Sequence, residues 1–151
     1  MSIKKTATMS VADKEWSKIR VTLTALLLSF FIVCCDEPSA EEVAKAEAMS
    51  VVQMCYDKLL AGDYDTFVTF RNGSENLPES YRQQMKEVYQ MYMAEEQRVH
   101  HGIRQATATR AEMDSTQQVM HVFVLLTYGN DGQEEIVVPV VSTVDGQWRL
   151  K

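Results

Sequence analysis

The chain has 151 residues, enough for one domain with accessory segments, and its 46% hydrophobic and 24% charged content is that of a globular protein. Residues 1–34 carry five of the 15 bases and two of the 21 acids, which leaves ten bases against 19 acids in the remainder. A surface that acidic repels phosphate backbones and argues against nucleic acid as a partner.

In chain order, a basic segment ending at Arg20 is followed by VTLTALLLSFFIV, uncharged from Val21 to Val33. These 13 residues fit the apolar region of a signal peptide, about 7–15 residues long. They fall short of the roughly 20 that a membrane-spanning helix requires. Acids, Asp36 and Glu37, follow in place of the bases of a stop-transfer anchor, and Met9 is an alternative start. Between the apolar run and the acids stand Cys34 and Cys35. A disulfide between neighbours is disfavoured, because consecutive Cα atoms lie about 3.8 Å apart, below the disulfide range of about 4.4–6.8 Å. A metal would need further ligands at suitable spacing, and none lie nearby. Covalent lipid remains.

A short apolar run closing on small or branched residues and then cysteine resembles the lipobox of bacterial lipoproteins. The resemblance implies cleavage before the cysteine, a diacylglycerol on its sulfur and an acylated new amino terminus. The residue before the modified cysteine should be small, which favours Cys35, preceded by Cys34, over the alternative Cys34, preceded by Val33. The expected organisation is a signal peptide at 1–34, a lipidated tether at 35–40 and a globular domain at 41–151. Several acyl chains, at about 0.8 kcal/mol per buried methylene, make such an anchor effectively permanent. An ordinary signal peptide cut after PSA, before Glu41, is the competing reading. Asp36, Glu37, Glu41 and Glu42 resemble acidic export signals for the outer face of the outer membrane. In other bacteria an aspartate after the lipidated cysteine retains the protein at the inner membrane. The expected location is therefore the bacterial cell envelope, with the outer membrane favoured and the leaflet open.

The globular part begins with a capping box, Ser39 with Glu42 three residues on. Ala48, Val51/Val52, Cys55/Tyr56 and Leu59 then recur at the spacing of one helical face. The helix ends at AGDYD, where Gly62 suits the left-handed terminal position, and Asp63 can cap a short second helix over YDTFVTF, closed by RNGS. A third helix is expected from NLPES, with Asn76 and Glu79 as a capping box, through the stripe Tyr81, Met85, Val88/Tyr89 and Tyr92 to Gly102. About 24 residues at 1.5 Å rise make it roughly 36 Å long. Beyond Gly102 the period changes to two. IRQATATRAEM reads as the least buried strand, and VMHVFVLLTY and EEIVVPVVSTV read as strands apolar on both faces. GNDG and DG are hairpin turns, the second leading into QWRLK. Pro139 marks a bulge or an edge. The expected fold is α+β: three helices packed on one face of a curved antiparallel sheet of about four strands.

The helix ending YDKLLAGDYDTF, the long helix into a strand meander and the terminal VDGQWRLK together resemble small bacterial lipoproteins with a nuclear-transport-factor-2-like (cystatin-like) domain. That group includes proteins described as lumazine-binding-like or of unknown function. The resemblance covers about residues 41–151 and implies a sheet wrapped into a cone around the long helix. Members include enzymes, binding modules and dimerisation modules, so fold does not choose function.

Enzymatic relatives use an acid/base pair pointing into the cone. The residues available here are Tyr56, Asp65, Tyr92, His121 and Tyr128. On alternation His121 shares a face with Val119, Phe123 and Leu125, and would be a general base if that face were concave; otherwise it is a sheet histidine or lies on a dimer face. His100 and His101 point about 100° apart on a helix and do not form a metal site with His121. Cys55 reads as a buried inert thiol. No catalytic residue, metal or cofactor is assigned. The favoured reading is a non-enzymatic binding module on the membrane, held by acyl chains, that takes an envelope protein, a second copy of itself or a small ligand. The alternative is a small hydrolase- or isomerase-type enzyme with a pocket lined by Tyr56, Tyr92 and His121, to which Tyr128 is a candidate addition.

Overall fold

A computed structural model describes residues 38–151 except Ser115 and Gln117. The expected signal segment and the acylation candidates Cys34 and Cys35 lie outside the described residues. Helix α1 spans Ala40–Leu60. Its capping box forms in both directions: Glu42 N–H donates to Ser39 Oγ at 3.2 Å, and Ser39 N–H donates to Glu42 Oε2 at 2.9 Å. Its buried residues, Ala48, Val52, Cys55 and Leu59, form one stripe at helical spacing. The helix stops where Gly62 takes φ +73°. Asp63 then caps α2, Tyr64–Thr69, by accepting from Thr66 N–H at 3.2 Å.

The third helix, α3, spans Glu79–His100. The capping box anticipated at Asn76 and Glu79 does not form. Asn76 instead closes a short 3₁₀ turn, Ser74–Asn76, and Pro78 is the N-cap with no side-chain hydrogen bond. The reason is local: a residue before proline is pushed out of the helical region, and Leu77 accordingly sits at ψ 138°. At the other end His101 and Gly102 both adopt positive φ. Among the described residues no helix is long and apolar enough to cross a membrane.

The sheet is antiparallel in the order β1 (Ile103–Asp114), β2 (Val119–Tyr128), β3 (Gln133–Ser142), β4 (Trp148–Leu150). Its inner face carries Met120, Val122, Val124 and Leu126 from β2, each almost fully buried. The small residues Ala106, Ala108 and Ala111 of β1 lie opposite Leu126, Val124 and Val122. Their lack of bulk lets α1 come down on β1, where Ala48 and Val52 join the same core. Each buried valine or methionine contributes about 1.5–3 kcal/mol relative to exposure. By burial β3, with Val140 alone buried, is the least covered long strand, not β1 as the sequence pattern suggested.

Open edges are closed in two places. β1 is an edge strand with a bulge between Ala108 and Arg110. There the Gln53 side-chain amide acts as a neighbouring strand would: Nε2 donates to Ala106 O at 3.0 Å, and Oε1 accepts from Ala108 N–H at 3.0 Å. β4 is covered by residues 70–72, through Asn72 N–H to Leu150 O and Leu150 N–H to Phe70 O, both 2.8 Å. β3 stays open along most of its length, because β4 pairs only with Val140–Ser142. Its register with β2 is unbroken, so Pro139 marks an edge, not a bulge. Lys151 N–H donates to Pro139 O at 3.0 Å. With a period of two, Val137 and Glu135 therefore also turn their peptide groups outward.

Replacing Gln53 by alanine should leave a half-buried N–H and C=O of β1 without partners, costing about 1–3 kcal/mol. Urea denaturation of the variant should show a lower midpoint with an unchanged slope, whereas an unchanged midpoint would deny the amide its bracing role.

Candidate functional site

Helix α3 is tied down near its middle and at its C-terminal end. Near its middle Tyr89 meets Phe67 of α2 edge-on, ring centroids 4.4 Å apart, and Lys86 pairs with Asp65 at 2.7 Å. At its end the β2–β3 turn docks onto it: Gly129 N–H donates to Gly102 O at 2.8 Å and Asn130 N–H to His100 O at 3.1 Å. A side chain at position 129 would collide with the His101 carbonyl, so glycine is required for this approach. Between these ties no residue of α3 is buried. Met93 packs against the core, while Met85, Val88, Tyr89 and Tyr92 of the apolar stripe face a gap.

That gap is a cavity of about 450 Å³, within the range of small-molecule sites. Tyr56 and Leu59 of α1 and Phe67 and Val68 of α2 form one wall. Met85, Val88, Tyr89 and Tyr92 of α3 form a second, and Ile136–Pro139 of β3 with Leu150 the third. Arg71 and Lys151 complete the lining. Burial pushes the hydroxyls of Tyr56, Tyr89 and Tyr92 above the ordinary tyrosine range, and for Tyr89 the Arg71 charge pulls partly the other way. At neutral pH all three are protonated. They make no hydrogen bond with any described group, so both donor and acceptor capacity remain for an occupant.

The structure brings Tyr56 and Tyr92 to this cavity but not the other two candidates. His121 occupies the opposite face of β2. The alternation that grouped it with Val119, Phe123 and Leu125 is right for His121, Phe123 and Leu125, but theirs is the outer face, half-exposed, across from Glu112 and Pro139. The signal was present in the strand: even positions 120 to 126 carry no polar side chain, whereas the odd positions include His121 and Thr127. On the same outer face Arg110 lies over the Phe123 ring at 3.3 Å and pairs with Glu135 at 3.1 Å.

Tyr128 is on the inner face, close enough to Tyr56 and Tyr92 to influence their hydroxyls, but it does not line the cavity. Its hydroxyl donates to Glu134 Oε2 at 2.8 Å, and its ring stacks on His100 with centroids 4.5 Å apart. Burial, then the bond and charge of Glu134, push that hydroxyl upward. One oxygen of Glu96 is buried without a partner among the described residues. Asp65 is engaged with Lys86 at the surface. Cys55 is a free, buried thiol that burial pushes up to about 12. Among the described residues no three metal-binding side chains come together. Arg71 was hidden in the sequence by its place in the turn segment RNGS.

No protein-family model and no curated protein matches the chain. Among solved structures, a crystal structure at 2.00 Å from Campylobacter jejuni, of a protein provisionally assigned as an NTF2-like transpeptidase, is similar with a TM-score of 0.52. The match covers 67% of this chain and 94% of that one at 15% identity. At that identity the likeness shows the fold: helices against an open four-stranded antiparallel sheet, NTF2-like in architecture.

Cys55 and the four tyrosines hold their protons more tightly when folded than when unfolded. The unfolded chain releases them near pH 8.5 for thiol and near 10 for tyrosine. Their contribution to stability is therefore complete below those values and is lost as pH rises past them. The urea midpoint should fall between pH 8 and pH 11; a midpoint that holds constant would contradict the burial of these groups.

Proposed function

We propose that the chain is a lipid-anchored module of the cell envelope that binds a small molecule in the tyrosine-lined cavity without transforming it. The observation that carries this reading is the make-up of the lining. It offers apolar surface and uncommitted, protonated tyrosine hydroxyls, and no acidic or histidine side chain. Such a wall can orient an occupant and shield it from water. General acid–base catalysis needs a group that changes protonation near the working pH within hydrogen-bond reach of the substrate, and His121, the group named for that role, lies across the sheet.

The membrane address rests on the sequence from Val21 to Glu42 and on its likeness to the lipobox, as does placement among the small lipoproteins described as lumazine-binding-like. Acylation at Cys35 would place the start of α1 a few residues from the bilayer surface, with Asp36–Pro38 as spacer. In cells fed labelled palmitate, Cys35→Ala should abolish incorporation and Cys34→Ala should keep it. Labelling that persists in Cys35→Ala would contradict the anchor.

The cavity is tested with an uncharged apolar dye, Nile red. Fluorescence titration should show saturable binding, weakened at least about tenfold by Val138→Trp, which fills the space, and unchanged by His121→Ala on the outer face. Equal binding by the Val138→Trp variant would place the dye elsewhere and overturn the reading.

A further inference from the structure

We propose that the cavity takes a single-chain organic anion, its apolar body between α3 and β3 and its anionic head at Arg71 and Lys151; this rests on the binding reading above and names the ligand class. The chain is acidic overall, yet no aspartate or glutamate lines the cavity, whereas Arg71 and Lys151 both do. Every other lysine and arginine among the described residues has a side-chain partner. Lys45 with Glu41, Lys86 with Asp65 and Arg104 with Asp131 are ion pairs typical of the set. Arg149, which makes no ion pair, donates to Thr69 O at 3.1 Å and to Gln147 Oε1 at 2.8 Å. Arg71 and Lys151 stand apart, with no ion pair and no side-chain hydrogen bond to any described residue. An unpaired cation on a surface is unremarked alone. Here both such cations fall on one cavity of a protein rich in acids.

Their placement is built by the backbone. Arg71 bridges Leu150 in parallel, where residues 70–72 cover β4, so Arg71 and Lys151 reach the same end of the cavity. A second hollow of about 290 Å³, lined by Tyr81 and Gln84, shares Arg71, Met85, Val88 and Tyr89 with the first. Arg71 thus stands at the junction of the two, exposed to water and beside the Tyr89 hydroxyl, which its charge influences. An anion there would accept charge-assisted bonds from the guanidinium and a bond from tyrosine while its tail stayed dry. The volume of about 450 Å³ lies toward the small end for ligand sites, which suits one chain.

Octanoate and 1-octanol, equal in length and different in head charge, are the probes. In calorimetric titrations of the full chain, octanoate should bind at least about tenfold more tightly than octanol, and added salt should shrink the difference. Arg71→Gln combined with Lys151→Gln should bring octanoate to the level of octanol, whereas Arg71→Lys should keep most of the preference. Equal affinities in the unaltered protein would overturn the anionic head and leave the cavity reading intact, as would a preference that survives the double substitution. Binding of neither probe would overturn the proposal, and Nile red titration then decides whether the cavity reading falls with it.

Discussion

The arrangement depends on how closely α1 packs against β1 and β2. Alanines at 106, 108 and 111 let the helix approach, Val52 and Met120 fill the interface, and Gln53 completes the hydrogen bonding of the bulged edge. This seal commits the inner surface of half the sheet to α1. The inner surface of β3 is left to α3, whose position is already set by α2 near its middle and by the β2–β3 turn at its C-terminal end. A helix whose position is set by these contacts, and not by β3, leaves space between the two. The cavity follows from the same contacts that make the fold stable.

The wall residues suit that position. A stripe of leucines on α3 would gain by closing over β3 and would leave an exposed apolar face wherever it failed to close. Tyrosine and methionine tolerate half-burial better: the tyrosine hydroxyl keeps water contact while its ring covers apolar surface, and methionine adapts its shape to what it meets. Met85, Tyr89 and Tyr92 accordingly form a face that is stable empty and adjustable when filled. The open edge of β3 along the same space is guarded in an ordinary way, by the charges of Glu134 and Glu135 and by Pro139, which has no N–H to offer. Sequence and fold agree in leaving this side of the molecule uncovered without making it sticky.

Local signals in the sequence read well because short-range physics decides them. Ser39 with Glu42, Gly62 and Asp63 each act within a few residues, and each does in the structure what its chemistry implies. The Asn76–Glu79 box failed for an equally local reason, since Pro78 constrains Leu77 more strongly than an asparagine cap can reward. The placement of His121 is a different matter. Alternation states which side chains share a face, and the one local hint of the outer face is the polar pair His121 and Thr127. What packs against the inner face and fixes the choice comes from far away in the chain. That choice was set by the alanines of β1 under α1. Arg71 was illegible for the same reason: only the bridge to Leu150, 79 positions later, carries it to the cavity.

The central claim is that the space under α3 is a binding site and not a packing defect of the fold. Methyl NMR of the full chain labelled with ¹³C-methyl methionine tests this most directly, because methionines sample the cavity wall and surfaces well away from it. On addition of octanoate the Met85 methyl, in the cavity wall, should shift in a saturable way, while Met54 on α1 and Met113 on β1 stay in place. A spectrum in which Met85 is unmoved, or in which Met54 and Met113 move as much as Met85, would contradict it.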